Sequence, residues 1–177
     1  MTSILIAGFG GQGILFASKQ LALAGMYHDK KVTWLPSYGP EMKGGTSNCI
    51  VVISENEIYS PIVPNPDIFI AMNLPSFLKF EPAVASGGNL FCDSTLINIK
   101  TERADINSHS IPATAMANEN NMQGLANVIM LGKLLAVTGL FNMDELVVSM
   151  EKSIPASKKD LVELNKKALQ LGFDYVG

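Results

Sequence analysis

The chain has 177 residues, 16% of them charged, and a formal net charge of −3. A chain this balanced is not built to neutralise a nucleic-acid backbone, and its length suits one domain, residues 1–177, with its own core. The charged fraction falls below the roughly 25% of typical soluble domains, which leaves a membrane segment or a surface covered by partners to account for it.

The richest apolar stretch, Val128 to Phe141, contains Lys133 and is shorter than the ~20 residues of a spanning helix. The first cation, Lys19, follows the first apolar run, whereas a signal peptide carries its charges ahead of it. A cytoplasmic chain with no membrane contact is expected. Cys49 and Cys92 form no CxxC, so no metal or iron–sulfur framework is expected within the chain, and both read as buried free thiols.

In chain order, Ser3 to Ala7 is a short apolar strand, followed by a glycine-rich turn. Ile14 to Ala24 suits a helix that Gly25 stops. Lys31 to Leu35 is a second strand, so the chain opens like a parallel α/β sheet. Ser37 to Ser47 carries Gly39, Pro40, Gly44 and Gly45 and excludes regular structure. Asn48 to Ile53 is a β-branched strand. A turn at Glu55 to Glu57 returns it through Ile58-Tyr59 as a hairpin. Pro61, Pro64 and Pro66 mark a loop.

Asp67 to Met72 is a fully apolar strand of the buried parallel kind. Leu74 to Ala85 is a helix, Leu90 to Cys92 begins a strand, and another lies near Ser110-Ile111. Glu102, Arg103 and Asp105 read as a solvated loop. Ala113 to Leu140 is largely helical, broken near Gly124. Asn142 with Glu145 resembles a capping box. Pro155 ends that helix, and Gly172 follows the last one. The fold class is α/β: a Rossmann-like domain, mostly parallel sheet flanked by helices, with a β-hairpin excursion after the second strand.

Gly8-Phe9-Gly10-Gly11-Gln12-Gly13 fits G-x-G-x-x-G between a strand and a helix. Such a turn brings backbone close to a ligand, and the helix N-terminus offers N–H groups to an anion. The same glycines also suit a tight turn that serves only packing, and both roles stay open. A dinucleotide site wants an acid at the end of the second strand, but Trp34-Leu35-Pro36-Ser37-Tyr38 has none. A P-loop fails because Ile14 stands where Lys is required.

In Tyr38-Gly39-Pro40-Glu41-Met42-Lys43-Gly44-Gly45, Lys43 suits a phosphate and Glu41 a partner's cation. A solvated loop is the alternative. No Ser/His/Asp grouping or metal-ligand cluster is visible. His28 is expected at the surface, and His109 follows a polar loop. No catalytic residue or metal ligand is assigned.

GFGGQGI at 8–14, TWLPSYGPEMKGGTSNC at 33–49, SPIV at 60–63, PD at 66–67, MNLPSF at 72–77, KFEP at 79–82 and GGNLFCDSTLI at 87–97 together resemble the gamma subunit of 2-oxoacid:ferredoxin oxidoreductases. The likeness is greatest to the 2-oxoglutarate and branched-chain 2-ketoacid (ketoisovalerate) enzymes. It implies a chain that binds no cofactor alone and is inactive in isolation. Alpha and beta subunits would hold thiamine diphosphate with magnesium, and a ferredoxin-like delta subunit the iron–sulfur clusters. The complex would convert a 2-oxoacid to an acyl-CoA.

The resemblance places coenzyme A at this chain's side of the site. The cofactor-binding candidates are Gly8, Gly10, Gly11, Gln12, Gly13, Tyr38, Gly39, Glu41, Lys43, Gly44 and Gly45. The family usually has Arg where Lys43 stands, and Lys lacks the bidentate fork. A purely structural assembly subunit and an independent dinucleotide-binding domain are the alternatives. Without partners the chain is expected to self-associate.

Overall fold

In the computed structural model, residues 1–38, 46–155, 157 and 159–177 are described, Tyr38 by its backbone alone. The elements are β1 (Thr2–Phe9), α1 (Ile14–Tyr27), β2 (Lys31–Tyr38), β3 (Thr46–Ser54), β4 (Ile68–Ala71), α2 (Leu74–Phe80), β5 (Asn89–Asp93), β6 (Asn107–Ile111), α3 (Ala113–Glu119), α4 (Ala126–Thr138), α5 (Met143–Ser153) and α6 (Lys159–Asp174). One six-stranded sheet runs in the order β2-β3-β1-β4-β5-β6. β1, β4, β5 and β6 are parallel. β3 is antiparallel to both β1 and β2, so among the described strands it alone runs against the rest.

β1 is buried on both faces, which is why it reads as a continuous apolar run. Ile4 and Ile6 point into a large core shared with α1, α3, α4, α5 and α6. Leu5 and Ala7 point into a smaller one with Phe77, Val84, Ile97 and Ile106. Helices therefore cover both faces, and the parallel strands deliver their carboxyl ends to one edge. Met72, Met122, Met130 and Met150 are buried in the larger core. Among the described residues, no helix is long and apolar enough to cross a membrane.

Several local expectations are corrected. The hairpin partner of β3 is β2, with Tyr38 opposite Ser47. Ile58-Tyr59 forms no strand. The strands reach into the Ser37 to Ser47 stretch from both sides, at Ser37-Tyr38 and at Thr46-Ser47. Gly25 lies inside α1 and is buried, since a Cβ there would come within 2.8 Å of Val32 Cγ2.

Gly172 likewise lies inside α6, not after it. A Cβ on Gly172 would stand 1.8 Å from the Ile129 carbonyl oxygen, and one on Gly132 would stand 2.0 Å from that of Leu169. The α4 and α6 backbones meet at these glycines. Lys133, 9% exposed, reaches across the same seam, and its Nζ donates to the Tyr175 carbonyl at 2.9 Å.

The solvated-loop reading holds for Asp105, which is exposed, whereas Arg103 is half-buried and tied to the fold. Arg103 Nε and Nη2 donate to the two oxygens of Asp105 at 2.9 and 2.6 Å. Its Nη1 donates to the carbonyls of Glu81 and Val84 at 3.1 and 2.8 Å. The guanidinium thus closes the turn after α2 and pins the 97–106 segment over the smaller core. Glu102 stays exposed, as expected. The capping box at Asn142 and Glu145 is present in both directions.

Candidate functional site

The glycine turn leaves β1 at the carboxyl edge of the sheet. Gly13 has φ 71°, a left-handed conformation that glycine adopts without strain, and it starts α1 with no side-chain cap. A Cβ on Gly13 would meet Asn127 Nδ2 at 2.4 Å, so the position is restricted by space as well as by φ. Among the described residues, no hydrogen-bond acceptor is paired with the N–H of Gly11 or Gly13. The first turn of α1 adds N–H groups without an intrahelical partner.

Gln12 is half-buried and its amide is tied to the backbone around it. Its Oε1 accepts from Phe9 N–H at 2.6 Å and from Asn73 Nδ2 at 3.2 Å, and its Nε2 donates to Met72 O at 2.7 Å. Its own N–H closes the turn on Phe9 O at 3.2 Å. Asn73 Oδ1 meanwhile accepts from Ser76 N–H at 2.9 Å and caps α2. On the far side, Asn127 in the first turn of α4 donates from Nδ2 to Gly13 O at 3.0 Å. Its Oδ1 is buried and, among the described residues, without a partner.

A cleft of about 210 Å³ opens beside this turn. Gly11, Gln12, Met72, Leu96, Thr114 and Ala126 line it, all beyond the carboxyl ends of strands or at the start of α4. That edge is where open α/β sheets bind ligands. Beneath it, Asp93 is fully buried at the end of β5. Its Oδ2 accepts from Thr114 Oγ1 at 2.5 Å and Thr114 N–H at 3.2 Å, and its Oδ1 from Thr95 N–H at 3.1 Å. It caps α3, whose own N-cap is Pro112.

The structure therefore brings Gly8, Gly10, Gly11, Gln12 and Gly13 together at one edge. Ser47 lies opposite Gly8 on one side and Tyr38 on the other, so the backbone of Tyr38 ends at that edge too. Gly39, Glu41, Lys43, Gly44 and Gly45 lie outside the described residues. Asn73, Asp93 and Asn127 were not singled out from the sequence. Asn73 carried a signal, because an Asn directly before Leu74-Pro75 is a helix N-cap pattern. Asn127 carried none, since its contact spans 114 positions.

Other titratable groups stand apart from the cleft. His28 is exposed and pairs with Glu145 at 3.5 Å. His109 stacks on Phe91 at 4.8 Å, with Nε2 3.1 Å from Asn89 Oδ1. Burial, and then the charge of Lys133, hold its pKa below the ordinary value. Cys49 and Cys92 are free and buried. Burial, then the Glu81 and Asp93 charges, push the Cys92 thiol up to about 12. Among the described residues, no group of three or more His, Cys, Asp or Glu side chains is placed to hold a metal ion.

Residues 3–175 match the family described as pyruvate ferredoxin/flavodoxin oxidoreductase. The chain belongs to that family. It is 33% identical to the 2-oxoglutarate synthase subunit KorC of Methanocaldococcus jannaschii, over 97% of this chain and 91% of the relative. It is 37% identical to the ketoisovalerate oxidoreductase subunit VorA of Methanothermobacter thermautotrophicus, again over 97% of this chain. The chain spans 36% of the length of that relative. In three dimensions it is similar to a keto/oxoacid ferredoxin oxidoreductase gamma subunit from Geobacter sulfurreducens. That TM-score is 0.83 at 28% identity, covering 98% of this chain and 97% of the other.

Within the family fold, the site departs from a dinucleotide-binding arrangement. There the second strand lies beside the first. Here antiparallel β3 occupies that place, and β2 is displaced to the sheet edge.

Proposed function

We propose that residues 1–177 act as one unit, the gamma-type subunit of a cytoplasmic 2-oxoacid:ferredoxin oxidoreductase. The complex would oxidise a 2-oxoacid such as 2-oxoglutarate or 2-oxoisovalerate to an acyl-CoA and pass the electrons to ferredoxin. Alpha and beta subunits would hold thiamine diphosphate and magnesium, and a ferredoxin-like delta subunit the iron–sulfur clusters. This chain's part is to pack on the thiamine-bearing subunits and to receive coenzyme A on its glycine-rich edge.

The observation that carries this reading is the cleft itself. At about 210 Å³ it is smaller than the roughly 300–1,000 Å³ of complete small-molecule pockets. It suits a phosphate group rather than a whole nucleotide, as expected of a site completed by another subunit. The fit to a phosphate is backbone-based: the N–H groups of Gly11 and Gly13 and the first turn of α1 would hold it. Lys43 would add the positive charge. Tyr59, 97% exposed, and Ile62, 71% exposed, supply apolar surface for a partner to cover.

Reconstitution with the thiamine-bearing and ferredoxin-like subunits tests this. Omission of the chain should abolish coenzyme A-dependent 2-oxoacid oxidation, and Lys43→Ala should raise the KM for coenzyme A. A complex that turns over normally without this chain would overturn the reading. An unchanged KM in Lys43→Ala would remove Lys43 from the site.

A further inference from the structure

We infer that Gln12 is a positioning residue: it clamps the Gly10–Gly13 turn across the ends of β1 and β4, and so presets the shape that receives an anionic group. The part concerning coenzyme A rests on the function proposed above. A side-chain amide has two acceptor and two donor positions. Gln12 uses both acceptor positions on Phe9 and Asn73 and one donor on Met72. A side chain so occupied has little left to hold a ligand. Its contacts span the turn's own root at Phe9 and the neighbouring strand's exit at Met72 and Asn73.

A Cβ on Gly8 would meet Gln12 Oε1 at 2.6 Å, so the glycine there lets the amide fold back beneath the turn. Without the clamp, Phe9 N–H and Met72 O lose partners, and a glycine-rich segment regains its many conformations. The cost of ordering it then falls on ligand binding.

The test compares Gln12→Glu and Gln12→Ala in the reconstituted complex, with coenzyme A as the probe. At about pH 8 an ionised Glu keeps the two acceptor contacts but sets a carboxylate against the Met72 carbonyl oxygen. Protonation lets it donate there again. Gln12→Glu, which loses the Met72 contact, should raise the KM for coenzyme A about tenfold, and Gln12→Ala, which loses all three contacts, by at least as much, each with a smaller change in kcat. The Met72 carbonyl oxygen favours the protonated carboxyl and raises it above its ordinary value of about 4.3, so the Glu penalty relative to wild type should shrink as the pH is lowered through about 5.5 toward 4.5. The Ala penalty should not.

Amide exchange at Gly10–Gly13 without coenzyme A should be faster in both variants. Wild-type KM together with wild-type exchange in Gln12→Ala would overturn the clamp, as would a Glu penalty that ignores pH. Failure of the coenzyme A reading shows separately, as exchange in the wild-type turn that coenzyme A leaves unchanged. The exchange rates of the variants then still decide the clamp.

Discussion

Asn127 donates from Nδ2 to the carbonyl oxygen of Gly13 across 3.0 Å, and so joins the first turn of α4 to the first turn of α1. Two helix starts are thereby held against one cleft. Removing this amide should leave the Gly13 carbonyl without its side-chain partner. The carbonyl keeps the Ala17 N–H at 3.0 Å, so Asn127→Ala is expected to lose about 0.5–1.5 kcal/mol, the net worth of one hydrogen bond, read from urea midpoints. In the assembled complex it should also weaken coenzyme A binding more than Asn118→Ala, whose side chain lies on the rim.

The α4–α6 seam gives a second expectation. Gly172→Ala would place a methyl group 1.8 Å from Ile129 O, a position that no rotamer change relieves. Overpacking of this kind costs roughly 1–3 kcal/mol and occasionally more. Equilibrium unfolding should place Gly172→Ala at the top of that range or beyond, with Gly132→Ala similar. Gln170→Ala, exposed on the same helix, should change little.

Cys92 supplies a pH dependence. Its thiol has an ordinary value of 9.0 and is pushed up to about 12 in the fold, by burial first and by the Glu81 and Asp93 charges next. Above 9.0 the unfolded chain releases a proton that the folded chain keeps. The contribution is therefore complete below 9.0 and is lost as pH rises toward about 12. Stability measured from pH 9 to 11 should fall more steeply in wild type than in Cys92→Ala. At pH 8 the thiol should resist an alkylating reagent until the chain unfolds.

Asp105 acts in the opposite direction. The Arg103 guanidinium holds its carboxyl below the ordinary value of 3.8. The folded carboxylate thus stays ionised where the unfolded one has gained a proton. Its contribution is present above 3.8 and is lost as pH falls through the lower folded value. Acid titration of Asp105→Asn should show a shallower loss of stability below pH 3.8 than wild type. Arg103→Lys should destabilise at neutral pH as well, because one ammonium cannot serve both the carboxylate and the carbonyls.

Much of the fold was legible in the chain order of residues. β1 and β4 announced themselves as short apolar runs, and the capping box at Asn142 and Glu145 stood in the sequence as a local pair. The glycine turn was legible for the same reason: its residues are neighbours. The errors were made where tertiary contact overrides local preference. Gly25 and Gly172 look like helix stops, yet each sits inside a helix because a neighbouring element comes too close for any side chain.

The sequence by itself determined the α/β class, the family resemblance and the glycine turn as candidate site. Each rests on residues within a few positions of one another, where spacing and side-chain type carry the physics. Only the tertiary structure decided which strand lies beside β1, that Gln12 faces inward to Phe9, Met72 and Asn73, and that Asn127 reaches Gly13. These pairings join segments far apart in the chain. They form only once burial of the two apolar faces of β1 has set the strand order, and no local pattern encodes them.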